Sequence, residues 1–500
     1  MAGRTQGISK ERDIKLLIES RHPLIAVETD EEERLGDILM RLSISMKLPL
    51  YTWTSVDGLK RPADVGAPED SRQPLAALNK IAASRADGLY FFKDLQRFLD
   101  NAAIVRRLRN LAPACARTNR AIIMTAPAFE LPPELTPCTV LVRLELPTID
   151  ELEDLVERVA IDMGVRPGIR IETKPADYRA LAEALKGLTL FDAERALMRA
   201  IVDSGALSPS DAGQILDLKR QVIERDGVLD FRPRVEDLAA VGGMKHLKAW
   251  LATRGGAFGP EAKAFGLDPP KGLLLLGVQG CGKSLCAKAI AHEWNLPLLK
   301  LEPGRLYEKY IGESEKSLDR ALETAERIAP VVLWIDELEK GFANVSQSET
   351  DAGLSKRIFG RLLSWLQDRP APVFVAATCN DIMSLPPELM RKGRFDEIFF
   401  VDLPTADERE SILKIHLTRR KRDPGSFDLK NLAVASEGFS GAEIEAAIVS
   451  GMYSAFAAKA ELTTAVLLKE IGDTRPLSVT RAEEVQSLRE WASTRCVPAS

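Results

Sequence analysis

A chain of 500 residues exceeds what one hydrophobic core organises, so about two to four domains are expected. Its 45% apolar and 28% charged residues are those of a soluble globular protein, and a formal net charge of −5 gives no electrostatic case for nucleic acid as the main partner. Six cysteines without a C-x-x-C pair argue against a disulfide scaffold and for reduced thiols.

The opening residues, MAGRTQGISKERD, lack the apolar core of a secretory signal. No apolar run approaches the roughly 18 residues that cross a bilayer, so a cytoplasmic protein without membrane contact is expected. An amphipathic helix over 11–20 ends before His22 and Pro23. LIAVET (24–29) then reads as a buried strand, followed by a helix over 31–46 and a second strand, LPLYTWT (48–54). A Pro- and Gly-rich loop (57–74) leads to a helix over 75–85 and the strand GLYFFKD (88–94). A helix through Leu111 and the strands AIIMTAP (121–127) and CTVLVRLELP (138–147) complete the series. Strands alternating with helices predict a parallel sheet covered on both faces. The basic runs IVRRLR (104–109) and RRKR (419–422) read as solvated helix surface. Residues 150–225 read as helices, the last with a capped start in SPSDAGQIL (208–216), and residues 226–237 as a linker.

In VGGMKHLKAWL (241–251) an apolar residue and two glycines before a helix suit a wall against a nucleotide base. The stretch GLLLLGVQGCGKS (272–284) follows, a leucine strand running into G-x-x-x-x-G-K-[ST]. Gly277, Gly280 and Gly282 permit a tight backbone whose N–H groups face phosphate oxygens. Lys283 places a point charge near the β- and γ-phosphates, and the Ser284 hydroxyl is a ligand for Mg²⁺. Cys281 fills a loop position that needs a small residue, a stronger reading than a redox sensor. In VVLWIDELEK (331–340) a continuous apolar strand delivers two acids to the ligand crevice. Asp336 would hold Mg²⁺ through water, and Glu337 would orient and deprotonate the attacking water. PVFVAATCN (372–380) is another buried strand, and Asn380 could bond the attacking water or the γ-phosphate. Arg391 and Arg394 lie beside a glycine before the next strand, as planar donors suited to a phosphoryl transition state. The tail TRAEEVQSLREWASTR (480–495) reads as a closing helix opened by a Thr480–Glu483 capping box.

The two halves echo one another in order. LPLYTWT (48–54) resembles LPLLKLE (296–302), LPTIDELEDLVERV (146–159) resembles LPTADERESILKIH (403–416), and GLTLFDAERAL (187–197) resembles GFSGAEIEAAI (438–448). ETDEEERLG (28–36) then stands where the second half has its phosphate loop, and its five carboxylates would repel a triphosphate. The first half is expected to be a copy that has lost its chemistry and serves structure or partner binding.

Residues 235–456 resemble the AAA ATPases of the AAA+ superfamily. GVQGCGKS matches the family's Walker A, WIDE (334–337) its Walker B, and MRKGRFD (390–396) its arginine-finger segment. The family spacing back from Arg391 makes Asn380 sensor 1, although Cys379 departs from the usual Thr-Asn. The lid histidine near adenine is His416, and GAE (441–443) resembles the sensor-2 segment, with Ala442 shaping the base pocket. The nucleotide-contacting set so implied is Val241, Gly242, Gly277, Val278, Gln279, Gly280, Cys281, Gly282, Lys283, Ser284, Leu285, Asp336, His416, Gly441 and Ala442, with ATP and Mg²⁺ as cofactors. KYIG (309–312) matches the pore loop with which AAA hexamers grip polypeptide, through Tyr310, Ile311 and Gly312, and 348–357 is the second axial loop.

At full length the chain resembles AAA proteins encoded in cyanobacterial and plastid genomes and in other bacteria, which join an N-terminal region without a nucleotide loop to one AAA module. The fold class implied is α/β: a P-loop AAA+ module of parallel sheet plus helical lid, preceded by a degenerate AAA-like region with its own lid. Expected limits are 1–149 and 150–225 for the degenerate domain and its lid, 226–237 for the linker, and 238–405 and 406–500 for the ATPase domain and its lid. His292-Glu293 has no second His at zinc spacing, which argues against a fused metalloprotease. The resemblance implies a homo-oligomeric ATPase, most simply a hexamer, remodelling a protein partner through a pore. The alternative is an ATP-dependent switch or scaffold whose degenerate half binds a partner, and a clamp-loader or helicase-like role ranks third.

Overall fold

The computed structural model describes residues 6–8, 11–62, 71–84, 86–208, 211–224, 227–232, 241–307, 313–341, 349–369, 371–391 and 393–500. The chain divides into two units, Met1–Ile215 and Leu216–Ser500. Among the described residues no helix is long and apolar enough to cross a membrane.

The first unit runs β1 (Gln6–Ile8), α1 (Glu11–Glu19), β2 (Leu24–Glu28), α2 (Glu32–Met46), β3 (Leu50–Thr54), β4 (Gly58–Lys60), α3 (Pro74–Ala83), β5 (Gly88–Lys93), α4 (Ala102–Ala116), β6 (Arg120–Ala126) and β7 (Thr139–Leu144). The sheet order is β1-β7-β2-β6-β5-β3-β4, parallel except for the β3–β4 hairpin. β2 and β6 are buried at every position because helices cover both faces of the sheet. Alternate residues of β5 feed two cores: Tyr90 and Phe92 join Trp53 on one face, and Leu89 and Phe91 join Leu39 on the other. Two expectations need correction. The 57–74 loop contains β4, and α4 continues past Leu111 through Pro113 to Ala116. Burial of Leu111, Ala112 and Cys115 outweighs the local cost of the proline, about 3 kcal/mol in a helix interior.

A lid follows, of α5 (Ile149–Gly164), α6 (Pro175–Leu185) and α7 (Leu190–Ser204), with β8 (Arg170–Ile171) paired to β9 (Ala206–Leu207), and α8 (Ala212–Ile223) comes after it. Only residues 29–31 separate β2 from α2, where the second half has its phosphate loop. One of the acids there, Glu31, is engaged in the fold itself. Glu31 is buried, accepts the Leu190 amide of α7 at 2.6 Å and pairs with Arg34 at 2.9 Å. Burial pushes its carboxyl up, opposed by that amide and by Arg34. Arg34 also donates to Glu145 O and to both carboxylate oxygens of Glu151 on α5. Removing the cation would strand two acids in the network. Arg34→Met should therefore destabilise the first unit by about 3–5 kcal/mol. The measurement is amide hydrogen exchange in α2 and α5, and unchanged protection would show that the network contributes little.

The second unit contains β10 (Leu229–Arg232), α9 (Lys245–Ala252), α10 (Pro260–Phe265), β11 (Gly272–Gly277), α11 (Lys283–Glu293), β12 (Leu298–Leu301), α12 (Glu313–Ile328), β13 (Val331–Ile335), α13 (Glu349–Asp368), β14 (Val373–Cys379) and β15 (Glu397–Val401). Its lid is α14 (Ala406–Arg419), α15 (Leu429–Ala435), α16 (Gly441–Ala457) and α17 (Thr464–Asp473). A short helix at Leu477–Thr480, a helix at Ala482–Ala492 and β16 (Val497–Pro498) follow. The sheet order is β10-β12-β13-β14-β11-β15-β16. The five central strands run fifth, first, fourth, third, second in chain order in the first sheet and, read from β15 back to β12, in the same order in the second, so the scaffold is present twice. The lids repeat too: Thr148 with Glu151 and Thr405 with Glu408 close capping boxes on α5 and α14.

Three boundaries differ from the sequence reading. The helix expected to close the first lid, Ala212–Ile223, spans the division, and its Leu216 and Ile223 join the second unit's core with Leu229 and Phe231. The stretch 226–237 is not wholly a linker, since β10 pairs antiparallel with β12. The tail's capping box does not form: Thr480 ends the short helix, and its hydroxyl bonds to Pro476 O and Leu477 O.

Candidate functional site

β11 ends at Gly277, and residues 278–282 bend into the N-terminus of α11. A Cβ on Gly277, at φ +154, would lie 2.0 Å from Val401 O of β15, so only glycine lets the two strands meet there. The loop borders a cleft of about 490 Å³. Of the residues expected to contact nucleotide, Val241, Gly242, Gln279, Gly280, Cys281, Gly282, Lys283, Ser284, Leu285, Asp336, His416, Gly441 and Ala442 line it, as do Glu337 and Asn380. Gly277 and Val278 lie behind it, their carbonyls each accepting from Lys283 Nζ at 2.8 Å. Lys283 is 5% exposed, and burial holds its ammonium below the ordinary range. An anion entering the cleft would supply the countercharge that this burial leaves weak.

The acids converge at the ends of β13 and β14. Asp336 Oδ1 accepts from Ser284 Oγ at 2.9 Å and from Thr378 Oγ1 at 2.7 Å. Glu337 has φ +50, a left-handed conformation uncommon outside glycine, and its amide donates to Thr378 Oγ1 at 2.9 Å. Its carboxylate meets Asn380 Nδ2 at 3.4 Å and Lys340 Nζ at 2.5 Å. Asn380 is held in turn by Glu339, whose Oε1 accepts from its amide and its Nδ2, both at 3.0 Å. Thr378 and Glu339 were missed in the sequence because each acts through a neighbouring strand, beyond any local motif.

On the far wall, burial pushes His416 below its usual range, against the pull of Glu445 at 3.6 Å. A neutral imidazole beside Val241, Ile412 and Ala442 suits an uncharged ring ligand. Glu408, the capping residue of α14, accepts from the Met244 amide at 3.3 Å and from Ser500 Oγ at 2.6 Å. The Cys281 thiol is pushed up to about 12 by burial, so at neutral pH it does not supply the thiolate a redox sensor needs. Arg391 and Arg394 do not line the cleft. Arg391 is exposed, and Arg394 Nη1 donates to Glu388 O. Tyr310, Ile311 and Gly312 lie outside the described residues, as does Ser348; the rest of the stretch expected to form a second axial loop, 349–357, is instead helical, within α13.

A glycine-rich loop between a parallel strand and a helix, with strand-end acids facing it, defines a P-loop nucleoside triphosphatase. Residues 273–403 match the family described as "ATPase family associated with various cellular activities (AAA)". Residues 10–144 match the SpoVK-like AAA ATPase N-terminal domain, and residues 150–226 the SpoVK-like AAA ATPase second domain. The chain is 37% identical over 486 residues to the AAA domain-containing protein ycf46 of Pyropia yezoensis, covering 96% of this chain and 97% of that one. The ycf46 protein of Guillardia theta is 38% identical over 488 residues, covering 96% and 94%. A shorter match, 38% identical over 210 residues, joins 41% of this chain to 52% of the proteasome-activating nucleotidase of Pyrococcus furiosus. The chain belongs to the AAA ATPase family, and it is an ATPase.

Proposed function

We propose that this ATPase hydrolyses ATP at the boundaries of a homo-oligomeric ring, most simply a hexamer, and uses the cycle to remodel a protein partner drawn through the central pore. The observation that carries the reading is the separation of parts. The loop, both acids and Asn380 share one cleft, while Arg391 and Arg394 stand outside it and are available to a neighbouring subunit's nucleotide. The likeness to a nucleotidase named for activating a proteasome supports a protein as the partner.

In this reading the loop amides and Lys283 bind the phosphates, His416 and Ala442 shape the base pocket, and Glu337 takes a proton from water that Asn380 orients. Ser284 and Asp336 offer hard oxygen donors 2.9 Å apart, a set that suits Mg²⁺. Bound there, the ion would neutralise phosphate charge. Tyr310, Ile311 and Gly312 would grip the partner.

Lys283→Ala should abolish tight binding of a fluorescent ATP analogue, because the loop loses its one buried cation. Retained affinity would remove the phosphate role of Lys283. Sedimentation with and without ATP tests the ring, and a chain that stays monomeric with ATP would reject it. With a co-purified partner in hand, stimulated hydrolysis and partner unfolding support remodelling. Nucleotide-dependent complex formation without either would favour a switch.

A further inference from the structure

We infer that Thr378 is a positioning residue for hydrolysis, one hydroxyl that sets both the metal-side acid and the base. The inference rests on the roles proposed above for Asp336 and Glu337. Thr378 is 1% exposed near the end of β14, and its neighbour Ala377 is in register with Ile335 on β13. That register brings Oγ1 beside the two residues that follow β13, Asp336 and Glu337. A hydroxyl carries one proton, and a backbone amide can only donate. Because the Glu337 amide gives its hydrogen to Thr378 Oγ1 at 2.9 Å, the hydroxyl proton is committed to Asp336 Oδ1 at 2.7 Å.

Both bonds have consequences for the site. The first holds Glu337 at φ +50, which turns its carboxylate toward Asn380 Nδ2. The second fixes the rotation of the Asp336 carboxylate, so that Oδ1 also faces Ser284 Oγ at 2.9 Å. Without the hydroxyl, a part-buried amide and a carboxylate oxygen each lose a partner, and the base is free to leave its strained backbone conformation. Glu339 holds Asn380 independently, so the water-orienting side would survive the change.

The test compares Thr378→Val, which keeps the shape, with Thr378→Ser, which keeps the hydroxyl. Valine should lower kcat about 10- to 100-fold, the scale of a small misplacement of reacting groups. It should also raise the Mg²⁺ concentration for half-maximal turnover, while ATP affinity measured in EDTA stays at the wild-type value. Serine should restore turnover and metal dependence. Wild-type kcat in the valine variant, or equal loss with valine and serine, would overturn the inference. If valine prevents folding, Thr378→Ala against Thr378→Ser makes the same comparison with less bulk. Glu337→Gln is run in parallel. If it is inactive while Thr378→Val is fast, only the Thr378 inference falls. If Glu337→Gln also turns over normally, the role of Glu337 as base fails and the inference falls with it.

Discussion

Arg394→Ala should bind ATP as the wild type does and hydrolyse it about 10³- to 10⁵-fold more slowly, a loss of roughly 4 to 7 kcal/mol of transition-state stabilisation. The size follows from what a guanidinium does to a transferring phosphoryl group. It meets the equatorial oxygens with planar, paired donors and strengthens only as their charge develops. Arg394 is half-buried, and its Nε is enclosed without a partner among the described residues, while Nη1 donates to Glu388 O. It does not line the cleft of its own chain, so its loss leaves ATP affinity there intact. A mixing experiment separates a trans role from a fold defect. Subunits carrying Arg394→Ala retain Glu337, the proposed base, and subunits carrying Glu337→Gln retain the arginine. Mixed assemblies should therefore regain part of the activity that neither variant has alone. Failure of rescue, with both variants folded and assembled, would argue that Arg394 acts within its own subunit or not at all.

The phosphate loop was legible because all its determinants lie in one short stretch. Glycines, lysine and serine act through backbone geometry that sequence spacing fixes. The strand-end acids were legible for a related reason, since a continuous apolar run such as VVLWI delivers whatever follows it to the crevice. What escaped depends on chain segments distant in sequence. Thr378 and Glu339 reach their partners across adjacent strands, and Ser500 meets Glu408 from the far end of the chain. The short edge strands β4, β10 and β16 escaped because two to four residues carry no readable alternation. They exist because a neighbouring strand offers its free edge, as β15 does when Phe400 O accepts the Ala499 amide at 2.9 Å.

The degenerate copy shows the same limit from the other side. Its loss of glycines and GK[ST] was visible in ETDEEERLG, and repulsion of a triphosphate followed from the charges. Sequence alone did not reveal that one of those acids has taken over a structural contact. Glu31 ties the start of α2 to the start of α7, in the turn of the lid where the active copy joins Gly280 O to the Ala442 amide at 3.0 Å. A carboxylate at a helix N-terminus is electrostatically favourable in its own right. The first unit therefore holds its lid with a side chain of its own.

Glu337→Gln should reduce kcat about 10²- to 10⁴-fold while ATP remains bound, because the change removes the proposed base and little else. Glutamine has the length of glutamate, and its carbonyl can still accept from Asn380 Nδ2, which lies 3.4 Å from the carboxylate in the wild type. The backbone bond from residue 337 to Thr378 is untouched by the substitution, so the strained φ of +50 should persist. What disappears is the proton acceptor, together with the ion pair to Lys340 at 2.5 Å. Lys340 is largely exposed, so that pair is screened and adds little to stability. The loss should therefore appear in single-turnover hydrolysis and not in the melting temperature. With ATP retained, the variant should also populate the assembled state longer than the wild type in sedimentation, since hydrolysis no longer ends it. Turnover at the wild-type rate would move the base elsewhere. Glu339 would be a poor replacement, because it is buried and already holds Asn380 through two hydrogen bonds.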